Sequence, residues 1–177
     1  MISAQEIYTF KKKMLCSSYE VYKGSSLKMA RSRSEKPLME VNLSSLSKKN
    51  MAVFEQSQKT PAVYARRQRF TGKSRYEMAT GEKTAQLERE NFGSKNRVFS
   101  LPDGTRCKAI QRGRSFVVSD TKTGETLATF GKSVWSLRKH GVLRMCAIER
   151  DNTSATFIFM AVVILIRSDK RRKSNIG

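Results

Sequence analysis

Hydrophobic and polar residues alternate in short stretches along most of this chain. The alternation is clear at residues 19–22, 39–43 and 84–88, and these stretches are separated by Gly, Pro, Ser, Asn and Asp. A repeat of two residues between turn-forming residues predicts β-strands that pair as hairpins. The hairpins start near residues 19, 51, 76, 97 and 115, and the first of them has its second strand at 27–29. Further strands are expected at 39–43, 134–137 and 142–148, so the pattern predicts about a dozen consecutive short strands.

Two of the predicted hairpins contain clear turn residues. Pro102-Asp103-Gly104 lies between the apolar stretches 97–101 and 106–111, and Gly124 ends the polar stretch between residues 115–119 and 126–130. Glycine accepts the positive φ that tight turns require. These segments therefore predict antiparallel neighbours rather than strands linked by crossover helices.

Residues 155–166 break the alternation, because they form an apolar run without a single charge. The side chains of residues 151–154 can cap the first turn of a helix, and basic residues beyond the run suit its negative carboxyl end. A bilayer-spanning helix needs about 20 apolar residues, whereas a run of roughly 10–14 is more typical of a buried core helix. We therefore predict a buried helix at about residues 154–167.

The strands and the helix together predict one fold. A long series of antiparallel strands removes its exposed edges by closing into a barrel, and an apolar helix needs walls on every side. The predicted fold is mainly β: a closed antiparallel barrel of about twelve strands around a buried hydrophobic C-terminal helix. The predicted organisation is a lead-in at residues 1–18, a barrel with its helix at 19–169, and a basic tail at 170–177.

Three segments carry a resemblance to a known family. They are the hairpin units at 101–112 and 119–130 and the stretch 151–166, which follows them. With this order of elements, residues 19 to about 169 resemble the Tubby C-terminal-like superfamily, and its LURP-one-related branch in particular. The resemblance implies a β-barrel threaded by a hydrophobic helix. Tubby binds phosphoinositides at membranes and is linked to transcription, and the phospholipid scramblases are similar. No lipid-contact motif of the family matches residue by residue, and Arg167 stands where the family usually has an acidic position after the helix.

The charge balance points to an anionic partner. The chain has 35 Lys and Arg against 15 Asp and Glu, a formal net charge of +20, which is far more than solubility requires. Two basic clusters are the candidate contacts for anionic phospholipid headgroups: Arg66, Arg67, Arg69, Lys73 and Arg75, and then Lys170, Arg171, Arg172 and Lys173. The alternative interpretation is a solvated loop on a generally basic surface.

Two other functions remain open at this stage. A basic surface is also compatible with nucleic acid, although sequence-tolerant binders normally add aromatic stacking platforms, and the aromatic content here is 8%. A tail-anchored membrane protein would insert residues 155–166, with the basic tail on one side of the bilayer. That run is shorter than the minimum of about 17 residues for a spanning helix.

Residues for catalysis or for metal binding are not indicated. His140 is the only histidine, and beside Gly141 it is expected in a surface turn, while Trp135 is expected in the core or at the barrel rim. The three cysteines, Cys16, Cys107 and Cys146, lack metal-ligand spacing and are predicted to be free thiols. We therefore expect a non-enzymatic, monomeric, intracellular protein without a cofactor, in the cytoplasm or peripheral at membranes; a nuclear location is compatible, and protein partners are unknown.

Overall fold

The chain folds into a closed antiparallel barrel of twelve strands with one helix inside it, which confirms the predicted fold class. The computed structural model describes residues 5–13, 18–26, 36–43, 50–56, 58–70, 73–91, 93–133, 139–146 and 152–174. The strands are β1 Gln5–Lys12, β2 Tyr19–Lys23, β3 Met39–Leu43, β4 Asn50–Glu55, β5 Val63–Phe70, β6 Lys73–Thr80, β7 Lys83–Arg89, β8 Arg97–Ser100, β9 Arg106–Arg112, β10 Ser115–Asp120, β11 Thr126–Lys132 and β12 Lys139–Cys146; the helix is α1 Asn152–Ser174.

Each strand pairs with its neighbours in the sequence, and β1 closes the ring by pairing with β12. All pairs are antiparallel, and the closing pair runs from Gln5 opposite Cys146 to Lys11 opposite Lys139. The turns between strands use the predicted chemistry: Gly104 and Gly124 have φ angles of 84° and 75°. Closure of this kind gives each of the twelve described strands a partner on both sides, so the sheet has no edge strand.

The helix fills the barrel. Every residue at positions 157–166 is buried, and most of them are less than 2% exposed. The inward side chains of the strands pack on them, with Phe10, Phe116, Phe130 and Leu143 among the fully buried ones. By length and composition alone, Asn152–Asp169 could also cross a bilayer, yet 72% of that window is buried inside the protein. This burial supports the core-helix prediction.

The helix gives the barrel two distinct ends. Asn152, at its start, lies beside Glu6 and Glu55, where β1 begins and β4 ends; we call this end the amino mouth. Near its other end, Ser168 and Asp169 contact Arg97 and Lys132, where β8 begins and β11 ends; we call this end the carboxy mouth. Since successive strands alternate in direction, every turn of the barrel lies at one mouth or the other.

Three predicted boundaries differ from the structure. Residues 5–12 form the barrel strand β1 and are not part of a lead-in, because β1 supplies the partner that β12 needs for closure. The helix is longer than expected and continues into the predicted tail, as far as Ser174. The basic window at 66–75 is no loop, since β5 and β6 pair through it from Arg66 opposite Glu77 to Phe70 opposite Lys73. The predicted strands at 27–29 and 134–137 lie outside the described residues.

His140 and Gly141 do not form a turn, because both lie within β12. The His140 ring is partly buried between aromatic rings, with centroids 4.8 Å from that of Tyr19 and 6.0 Å from that of Phe130. The expectation of a surface histidine was therefore wrong. Cys107 and Cys146 are free thiols, whereas Cys16 and Trp135 lie outside the described part of the chain.

Candidate anion-binding site at the carboxy mouth

Inward side chains change from apolar to basic near the carboxy mouth. Residues directly opposite each other on paired strands share one face of the sheet. Arg67 on β5 lies opposite the buried Tyr76, and Arg89 on β7 lies opposite Arg97 on β8, which is only 3% exposed. Arginine therefore occupies positions where the alternating pattern of the strands places core residues.

Arg97 connects the barrel wall to the helix. Its guanidinium carbon lies 5.2 Å from the centre of the Tyr76 ring, a cation–π geometry. Its Nη2 donates to Ser168 Oγ at 3.4 Å. Because the helix continues to Ser174, this contact attaches the start of β8 to the side of the helix before its last turn. Arg97 therefore has a structural role in addition to any role in binding.

The neighbouring basic group is neutralised by an acid on the helix. The Lys132 ammonium forms an ion pair with Asp169, and Gln111 Nε2 donates to the other oxygen of that carboxylate at 2.7 Å. The ammonium also lies 5.4 Å from the centre of the Phe116 ring. Asp169 is 7% exposed and Arg167 is also 7% exposed, so the helix brings charges of both signs into the mouth.

Two guanidinium nitrogens at this mouth are buried without a hydrogen-bond partner. They are the Nε atoms of Arg67 and Arg89. A buried donor that lacks a partner costs about 1–3 kcal/mol, and more when it is charged. An anionic group in the mouth would remove this cost by accepting from both, because the guanidinium group presents a rigid set of donors that matches carboxylates and phosphates.

The two basic clusters predicted from the sequence lie at the same mouth. β5 starts at Val63 beside the amino mouth and ends at Phe70, so the turn of the β5–β6 hairpin is at the carboxy mouth. The last helical turns, which contain residues 170–173, also end there. The backbone thus brings Arg69, Lys73, Lys170, Arg171, Arg172 and Lys173 toward one end of the barrel.

Two of the predicted contacts point away from the mouth. Arg66 lies opposite Glu77 on the outer face of the β5–β6 pair and is exposed. Arg75 pairs with Glu88 at 2.9 Å, and both side chains are more than a third exposed. Such an exposed ion pair contributes little to stability. Arg66 and Arg75 therefore belong to the outer wall rather than to the interior of the mouth.

The amino mouth differs in charge. Its turns and strand ends mix both signs among their exposed residues, with acids such as Glu55, Glu82, Asp103 and Glu125 beside bases such as Lys59, Lys83, Arg106 and Lys122. The carboxy mouth has exposed Lys12, Lys95, Arg112 and Arg114 on its rim in addition to its inward arginines. Among the described residues, positive charge is therefore more concentrated at the carboxy mouth.

Four basic residues at this mouth were not predicted from the sequence as site residues: Arg89, Arg97, Lys132 and Arg167. A signal was available, because Arg89, Arg97 and Lys132 each continue an alternating run on its apolar side. A basic residue at an inward strand position is expensive unless it has a partner. Such a break in the pattern is therefore a better marker of this site than the density of charge along the chain.

The arrangement of side chains at this mouth is suited to binding an anion. Within the described ranges, no three His, Cys, Asp or Glu side chains form a group that could hold a metal ion. The His140 ring packs against Tyr19 and Phe130. Several fixed guanidinium groups around one opening are suited to phosphate or carboxylate recognition.

The barrel with a central helix defines a structural class, and one solved structure shares it. No family model matches the sequence, and no curated protein matches it. The X-ray structure of a protein from Arabidopsis thaliana superposes with a TM-score of 0.59 over 96% of this chain and 94% of that chain, at 13% sequence identity. At this identity the likeness concerns the fold alone. It extends over essentially the whole barrel, including the helix.

Proposed function

We propose that this chain is a non-enzymatic binding protein that associates with anionic phospholipid surfaces through its carboxy mouth. The observation that carries the proposal is the convergence, at this one mouth, of inward arginines, the β5–β6 turn and the basic end of the helix. The resemblance to Tubby-like and LURP-one-related proteins, noted in the sequence, agrees with this proposal and supplies no contact residue.

The magnitude of the electrostatic term suits reversible docking. Each Lys or Arg held near an anionic leaflet contributes about 1 kcal/mol, and the contribution falls off within a Debye length of roughly 8–10 Å. Charges at the opposite end of the barrel therefore contribute little to the same encounter. Because the basic groups are gathered at one end, the protein is expected to dock with the carboxy mouth toward the membrane. The helix axis would then make a large angle with the plane of the membrane.

The basic end of the helix should be required for vesicle binding. A variant with Lys170, Arg171, Arg172 and Lys173 all changed to Gln is expected to bind phosphatidylserine-containing vesicles about two to three orders of magnitude more weakly, since four contributions of about 1 kcal/mol are removed. Flotation with phosphatidylcholine vesicles, with and without phosphatidylserine, measures the effect. A second variant, Arg67→Gln with Arg89→Gln, tests the interior of the mouth. Its binding to the same vesicles is expected to be several-fold weaker.

The matched control removes the same charge from the amino mouth. Changing the exposed Lys23, Lys36, Lys59 and Lys122 to Gln also lowers the formal net charge from +20 to +16 (20 − 4), and binding should stay within about twofold. Equal losses in both variants, or no binding by the wild-type protein, would contradict the proposal. Tighter, steeply salt-dependent binding to an RNA or DNA oligonucleotide would favour nucleic acid instead. Binding that resists alkaline carbonate would favour insertion of residues 155–166.

A further inference from the structure

A cavity opens at the amino mouth, at the opposite end of the barrel from the inward arginines. It has a volume of about 470 Å³ and lies between the start of the helix and strands β1, β3, β4, β5 and β12. Its apolar surface is formed by partly covered residues together with core residues at the end of the barrel: Tyr8, Leu38, Met39 and Ala155, and then Val53, Val63, Met145 and Phe159. Binding pockets for small molecules are typically about 300–1,000 Å³ with mostly apolar walls, so this cavity has the appropriate size and character.

The ends of two paired strands shape the opening. β1 pairs with β2 from Tyr8 onward, and the Gly24 amide donates to the Ile7 carbonyl oxygen at 2.7 Å, so among the described strands Gln5 and Glu6 pair with β12 alone. On the other side of the gap, β3 starts at Met39, opposite Glu55. Leu38, at this edge, is 39% exposed, which is unusual for a large apolar side chain in this protein. Leu38 therefore presents an apolar side chain at the rim of the cavity.

Among the described residues, the charged side chains that line the cavity are both acidic. Glu6 and Glu55 are exposed and line it, and neither forms a salt bridge in the described part of the chain. Glu6 accepts from the Tyr8 hydroxyl at 2.8 Å, and Gln58 Nε2 lies 3.3 Å from Glu55. Burial, together with the Glu6 carboxylate, raises the pKa of the Tyr8 phenol, so Tyr8 stays neutral at physiological pH.

We propose that this cavity binds a small cationic amphiphile, with an ammonium group between Glu6 and Glu55 and an apolar chain against Tyr8, Met39 and Phe159. The Tyr8 and Phe159 rings lie edge to face, with centroids 6.2 Å apart. An aromatic ring near two carboxylates is a favourable environment for an ammonium group, through cation–π attraction and charge pairing.

The positive end of the helix dipole should weaken the binding of a cation in this cavity only slightly. Asn152 lines the cavity, and the helix dipole places about half a positive charge near the first turn, which has no acidic residue. Two full carboxylates outweigh that partial charge. The overall charge of +20 should otherwise repel cations and attract anions, so selective binding of a cation requires a local acidic site.

Decyltrimethylammonium, used below its micelle concentration, is a suitable probe for isothermal titration with the full chain. Saturable one-to-one binding is expected, and Glu6→Gln and Glu55→Gln should each weaken it about three- to tenfold. Ala155→Phe fills the cavity from the partly buried first turn of the helix, and it should weaken binding at least about tenfold. Thermal unfolding of each variant verifies that the barrel is intact.

Glu125→Gln is the matched control, since Glu125 is exposed at the same mouth and does not line the cavity. This substitution should leave the affinity for decyltrimethylammonium unchanged. The binding of decyl sulfate should be the same in the wild-type protein and in the Ala155→Phe variant. Absence of saturable binding, equal loss in the Glu125 variant, or tighter binding of decyl sulfate in the cavity would each overturn the assignment. The proposal is independent of vesicle docking, because the residues and the probe charge are different.

Discussion

Replacing Val163 with aspartate is expected to unfold the whole barrel. Val163 is 1% exposed at the centre of the helix, with buried side chains before and after it. The change loses about 1.5–3 kcal/mol of apolar burial and adds a cost of several kcal/mol for a carboxyl group without a partner. A domain of this size is stable by only about 5–15 kcal/mol. Circular dichroism during urea unfolding, together with size-exclusion chromatography, measures the loss; deletion of the residues after Thr153 should have the same effect.

The same residue type at the start of the helix provides the control. Asn152 is exposed in the first turn, where an acid is stabilised by the helix dipole. Asn152→Asp should therefore leave the urea midpoint unchanged or slightly raised. If Val163→Asp or the truncated chain remained folded and became more soluble, the helix would not be the core of the barrel. A membrane anchor would then be the better interpretation of residues 155–166.

Replacing Gly141 with alanine is expected to be the most damaging single-methyl change among the glycines that the structure describes. A Cβ at this position would lie 2.4 Å from Phe130 Cζ and 2.5 Å from the carbonyl oxygen of Gly131. Phe130 is fully buried and the carbonyl belongs to the neighbouring strand, so neither can move away freely. Overpacking of this kind costs about 1–3 kcal/mol or more, which would lower the urea midpoint by roughly 1 M.

Gly131→Ala is a close control. Gly131 lies opposite Val142 on the adjacent strand, and a Cβ there would meet no atom within 4 Å. This substitution should shift the midpoint by less than a quarter of the Gly141→Ala effect. Similar losses from both would mean that glycine is needed in these strands for its backbone freedom. That result would contradict close packing between β12 and Phe130.

The carboxy mouth also explains why the count of basic residues alone is a poor guide to function. Arg66 and Arg67 are adjacent in the sequence, yet one faces solvent and the other faces the barrel interior. Alternation along a strand separates neighbouring charges onto opposite faces. Conversely, residues that are far apart in the chain, such as Arg97 and Ser168, are in contact in the folded barrel. Residues to be mutated in the proposed membrane site should therefore be chosen by the face of the strand on which they lie and by the mouth of the barrel to which they belong.

Several elements were predictable because they depend on local patterns. The apolar run of the helix, the alternation in β2, β3 and β7 and the turns at Gly104 and Gly124 all follow from side-chain period and backbone preference. β1 was missed, since Lys11 and Lys12 end a weakly alternating stretch and its burial comes from β12 at the opposite end of the chain. A loop was the alternative interpretation of the basic window at residues 66–75. The many charged residues in this window obscured the two-residue repeat of a strand.

The sequence by itself determined the class of fold, because strand and helix periods, turn residues and the length of the apolar run are properties of neighbouring residues. Tertiary structure decided everything that depends on which face a strand turns inward and on where the ring closes. Closure places Arg67, Arg89 and Arg97 around the end of the helix, and it leaves Glu6 and Glu55 beside an apolar cavity at its start. The physical reason is that charge and cavity geometry arise from contacts between distant strands, which no local pattern contains.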